Sequence, residues 1–68
     1  MKVTIDIFCD NAAFIENGAG TEVARILRDL AERVDGMHES DFDCAYNSVL
    51  GLRDSNGNSV GKMRVTNG

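Results

Sequence analysis

The segment Thr21–Val34, TEVARILRDLAERV, constrains this chain more than any other. Val23, Ile26, Leu27, Leu30 and Val34 recur at i, i+3, i+4, i+7 and i+11, the spacing that lines one face of a 3.6-residue helix. Arg25, Arg28, Asp29, Glu32 and Arg33 fall on the other side. A helix with one apolar face has to bury that face against a second layer. The remaining segments alternate in the manner of strands, so the layer they supply is a small sheet.

Length limits how this is done. Sixty-eight residues make one domain, 1–68. A single core of that size leaves only about 3–5 kcal/mol of net stability. Chains this short usually add disulfides, a metal or a partner subunit. Cys9 and Cys44 form one bridge at most. No secretory signal is evident, because the apolar runs are short and interrupted by charge, and no segment suits a membrane span. The expected compartment is the cytoplasm, with both thiols reduced. Self-association, as a homodimer, is then the expected source of extra stability.

Lys2–Cys9 alternates, with Val3, Ile5, Ile7 and Cys9 on one face and Lys2, Thr4, Asp6 and Phe8 on the other. Period two with β-branched residues predicts a half-buried strand. Phe8 breaks the polar side, which suggests a partner or cover from the middle loop. Asp10–Gly20 reads as the connection to the helix, with Phe14 plugging that end of the core. Asn17 and Thr21 are rival N-caps, and Glu22 suits the positive helix end. At the other end Gly36 suits the left-handed C′ position. Asp29–Arg33, Arg25–Asp29 and Arg28–Glu32 are spaced for surface ion pairs. Met37–Asn47 is acidic, but Phe42, Cys44 and Tyr46 alternate, and it reads as an anchored loop becoming strand near Ser48.

Val49–Thr66 is a hairpin, since Asn56-Gly57 between alternating segments is a strong turn signal. A two-residue type I′ loop sets Ser55 opposite Asn58, Leu52 opposite Gly61 and Leu50 opposite Met63. Leu50, Leu52, Gly61, Met63 and Val65 then share the apolar face, and Arg53, Val60, Lys62 and Arg64 the other. A type I turn with Gly57 as a bulge shifts the pairing by one residue and brings Lys62 to the core side, so the first register is favoured. The elements run β-α-β-β. A right-handed crossover with the third strand slotted between the other two predicts an α+β fold. Its three-stranded antiparallel sheet, in order 1-3-2, carries one amphipathic helix on one face.

No catalytic, cofactor or metal motif is present. Cys9, Cys44, His38 and nearby acids lack the C-x₂-C or H-x₃-H spacing of zinc sites, and nothing places a base beside either thiol. Asn17–Thr21 leads into a helix N-terminus, where anions bind, but lacks the glycine patterns of nucleotide loops. Net charge is −4, which argues against a general nucleic-acid binder. The charge is uneven, however. Asp35, Glu39, Asp41 and Asp43 lie within nine residues, and the other seven acids equal the seven bases in number. This acidic run, Asp35–Asp43, reads first as a solvated loop, and otherwise as a mimic of nucleic acid or a surface for a basic partner. Lys2, Arg53, Lys62 and Arg64 share the open sheet face with Phe8, a layout that suits a phosphate backbone with a base stacked on the ring. Asp6 weakens that patch.

Three blocks of the chain resemble a set of short hypothetical proteins encoded by tailed phages and prophages of bacteria. They are Cys9–Phe14 (CDNAAF), Glu22–Ala31 (EVARILRDLA) and Leu52–Gly61 (LRDSNGNSVG). Together they span most of the chain, and the first two are the more specific. Met37–Val49 is longer here than the connection members of that set often have. The resemblance implies a bacterial cytoplasmic origin and carries over no catalytic or binding residue. The expectation is a non-enzymatic accessory protein that binds another macromolecule, a protein before a nucleic acid. A third, structural reading is a minor virion or assembly component.

Overall fold

The computed structural model describes residues 1–38, 42 and 48–67. Five elements follow in order: β1 (Lys2–Ile7), α1 (Ala12–Asn17), α2 (Ala19–Asp35), β2 (Val49–Arg53) and β3 (Ser59–Thr66). The sheet is antiparallel throughout, in the order β1-β3-β2, and the fold is α+β. Cys44, Tyr46 and the rest of the acidic run beyond His38, other than Phe42, lie outside the described residues.

The apolar face of α2 lands on the sheet as its periodicity requires. Ile26 and Leu30 join Leu52, Met63 and Val65 in the core, with Phe14 closing one end and Phe42 half-buried against it. Leu27, at the flank of that stripe, stays 41% exposed. Arg33 forms no pair with Asp29. Its Nη1 reaches across to the Gly51 carbonyl at 2.8 Å.

Several local expectations are corrected. The connection before α2 is itself helical: α1 is a short helix that carries Ala13 and Phe14 into the interior. Neither Asn17 nor Thr21 caps α2. Gly18, at φ 87°, turns the chain between the two helices, a conformation that favours glycine. Gly36 is right-handed (φ −84°), and its N–H simply continues the helical ladder to Glu32. Cys9 is exposed, away from the core. The Phe8 N–H makes a ladder bond to Val60 O at 2.8 Å, and the chain then leaves the sheet to start α1.

The hairpin combines both turn readings. Gly57 N–H donates to Asp54 O at 3.0 Å, and Asp54 N–H donates to Asn58 O at 2.9 Å. The loop is therefore Ser55-Asn56-Gly57, with Gly57 at φ 84°, the bulged turn. Yet further along Leu52 faces Gly61 and Leu50 faces Met63, the register of the two-residue loop. A second irregularity restores it: Arg53 pairs with Ser59, and Val60 is the extra residue between the two registers. This bulge turns Val60 inward, so it is buried in the core and is not on the open face. Ser55 lies outside the ladder, and its N–H donates to Glu22 Oε1 at 2.8 Å.

Gly61 has a steric reason. A Cβ there would run into the Asp6 carbonyl of β1, so only glycine lets the two strands approach this closely.

Candidate functional site

Two places concentrate polar chemistry. The first is a buried junction where the helices meet the hairpin tip. Glu22 is 2% exposed and Asp54 4%, the two buried polar residues among those described. Glu22 Oε1 accepts from Arg25 Nη2 at 2.9 Å and from Ser55 N–H at 2.8 Å, and Oε2 accepts from Asn17 Nδ2 at 3.3 Å. Asp54 Oδ1 accepts from the Asn56 and Asn58 N–H groups, each at 2.9 Å, and Oδ2 from Asn11 Nδ2 at 3.1 Å. Buried charge is tolerated only with such donors.

The Arg25 hydrogen bond is the chief cause that holds Glu22 below the ordinary carboxylate range. Burial opposes it, and Ser55 N–H and Asn17 reinforce it. For Asp54 burial is the largest influence and pushes upward. The donors from Asn58, Asn11 and Asn56 together outweigh it, and its carboxyl also lies low. Both groups are therefore ionised at neutral pH with their acceptor sites engaged. No buried side-chain polar atom is left without a partner among the described residues. A carboxylate held low and fully engaged is a poor proton acceptor. The junction is a clamp, and Glu22 supplies the negative charge that the start of α2 favours. Sequence patterning gave little sign of it, because the donors come from positions 5 to 43 residues away as well as from near neighbours. The signals were Glu22 at the start of the helix and Asp54 two residues before the turn pair.

The second place is the sheet face opposite α2, which carries no helix among the described residues. Register places Arg64 between Thr4 and Val49, Lys62 between Asp6 and Gly51, and Lys2 beside Thr66. Lys2, Lys62 and Arg64 are exposed there, as the alternation predicts. Arg53 is exposed too, but its Nη1 donates to Gly57 O at 2.9 Å, which turns it toward the hairpin tip and away from the other bases. Phe8, just past β1, is 70% exposed. It lines a shallow depression of about 370 Å³ with Asp6, Ser59, Val60, Gly61 and Lys62. The face is thus cationic with apolar residues, Phe8 and Val49, on either side of the bases. Gly51, beside Lys62 on the edge strand β2, leaves open space there.

The remaining candidates do not assemble. His38 and Cys9 are both exposed, and the Cys9 thiol points back to the Ile7 carbonyl at 3.7 Å. Among the described residues no group of three or more His, Cys, Asp or Glu is placed to hold a metal ion, and no helix is long and apolar enough to cross a membrane. No family model, curated protein or solved structure matches this chain.

Proposed function

We propose that this protein is a non-enzymatic binding module, and that it engages an acidic surface of a protein partner through the helix-free face of its sheet. One observation carries the reading. A chain of net charge −4 gathers Lys2, Lys62 and Arg64 on one sheet face that no helix covers among the described residues, flanked by exposed Phe8 and Val49. Arginine and aromatic residues beside aliphatic ones are the composition of protein interfaces. Asp6 inside the patch, and a single ring, favour a protein over a phosphate backbone. With the three blocks resembling phage and prophage proteins, the reading is of an accessory protein acting in a bacterial cytoplasm.

Phe8 beside Lys62 supports a second reading, single-stranded nucleic acid with one base stacked on the ring. Titration of the protein with a polyglutamate peptide and with oligothymidine, at low and high salt, tests both. The first reading expects salt-sensitive binding of polyglutamate that is lost in a Gly51→Glu, Arg64→Glu variant. Preferential binding of oligothymidine, weakened by Phe8→Ala and steeply by salt, replaces the first reading with the second. No binding of either overturns both.

A further inference from the structure

We infer that the outer edge of β1 is a self-pairing surface, joining two copies of this chain into one continuous six-stranded antiparallel sheet about a two-fold axis at Thr4. The two edges of the sheet are treated differently. On β2 the Val65 N–H bonds Ser48 O, so Val49, Gly51 and Arg53 turn their carbonyls outward, and two of these three are taken by arginines of α2: Arg33 Nη1 to Gly51 at 2.8 Å, Arg25 Nη2 to Arg53 at 3.0 Å. Two arginine side chains thus stand in the way of another strand along most of that edge. The β1 edge has no such cover among the described residues.

Alternation fixes what β1 offers. The Phe8 N–H bonds Val60 O, so the even positions of β1 bond to β3, and Val3, Ile5 and Ile7 turn their N–H and C=O groups outward. The Ile7 carbonyl is met by the chain's own Cys9 thiol, which leaves Val3 and Ile5 as the free rungs. Their side chains lie on the helix-bearing face, yet remain 44% and 42% exposed, unlike Met63 and Val65 beside them.

Charge selects the register. Antiparallel pairing of two copies with Thr4 opposite Thr4 makes Val3 and Ile5 of opposite copies exchange backbone bonds, as the outward parity requires. The same register sets Lys2 of each copy across from Asp6 of the other, twice over. Shifting the axis to Val3 or to Ile5 keeps the parity but sets Thr4 across from Lys2 or Asp6, and the opposite charges no longer meet. Opposed charges favour the Thr4 register, and like charges placed across would disfavour it. The apolar Val3 and Ile5 of both copies then become contiguous at the centre of the sheet. The basic face stays uncovered and is doubled in extent, so this pairing and the proposed binding face stand or fall separately.

Light scattering on the intact protein across a concentration series, with hydrogen exchange at Val3 and Ile5, is the test. The expected result is a dimer whose Val3 and Ile5 amides become protected as concentration rises. Lys2→Glu should raise the dimer dissociation constant on the order of tenfold, and adding Asp6→Lys should restore it. In a chain carrying Cys9→Ser and Cys44→Ser, Thr4→Cys should cross-link into a disulfide dimer on oxidation. Residues facing each other in a non-hydrogen-bonded pair have Cα atoms about 4.5 Å apart, within disulfide range. A monomer at every concentration overturns the inference. So does a dimer whose Val3 and Ile5 amides exchange freely, or one indifferent to Lys2→Glu and not cross-linked through Thr4→Cys.

Discussion

The two faces of β3 belong to the same eight residues and obey different rules. On one side Met63 and Val65 are sealed under α2. On the other Lys62 and Arg64 stand in solvent. The covered face is set by volume, since neighbours from three elements have to fit together. The open face is set by charge and by what approaches from outside. Substitutions on the first should change stability, and those on the second should change binding.

The largest effect tests that division directly. Met63→Ala should cost about 2–5 kcal/mol, comparable with the whole stability of a domain this small. Arg64→Ala, one residue on, should stay within about 0.5 kcal/mol. Urea unfolding of the two variants checks the contrast, and a similar loss for both would break it.

A pair of glycines sharpens it. Gly61 lies on the covered face, against the Asp6 backbone, and Gly51 lies on the open face with space above it. Gly61→Ala should cost about 1–3 kcal/mol, because β1 has to move away. Gly51→Ala should gain about 0.5–1 kcal/mol, because alanine loses less freedom in a strand. Thermal melts of both variants should therefore shift in opposite directions.

The third effect is confined to acid. The covered side is not purely apolar, since Glu22 and Asp54 are buried beside the hairpin tip. Both carboxyls are lowered in the folded protein, Glu22 chiefly by Arg25 and Asp54 by donors that outweigh its burial. Their stabilisation is present above the unfolded carboxylate values, about pH 4, and is lost as pH falls through the lower folded values. Stability measured by urea unfolding should fall steadily below about pH 4. In Glu22→Gln with Asp54→Asn that acid slope should flatten, while the neutral-pH stability should be lower than in the parent. An unchanged slope would show that the junction is not the source.

Much of the fold was legible because it rests on short-range pattern. The α2 stripe, the β1 alternation, the Asn56-Gly57 turn and the strand order 1-3-2 follow from residues within one element or from the handedness of a connection. The cationic face was legible for the same reason, since Lys62 and Arg64 sit two apart on a strand. α1 was not, because six residues are fewer than two helical turns and show no period. Val60 was misplaced because alternation is interrupted by a bulge that has no mark in composition. Arg53 was placed with the other bases because its strand position puts it there, but its side chain bonds to Gly57 O.

By itself, then, the amino-acid sequence determined the α+β class, the apolar stripe that seats α2, and which side of the sheet is charged. These are properties of neighbours along one element, where spacing alone decides direction. Only the tertiary structure decided that Glu22 and Asp54 are interior, that Val60 turns inward, and that arginines reach the edge of β2 while none of the described side chains covers Val3 and Ile5 on the edge of β1. A buried carboxylate needs donors converging from several elements, and an edge is covered only if a side chain from elsewhere reaches it. Both depend on distances between segments, which no spacing along the chain encodes.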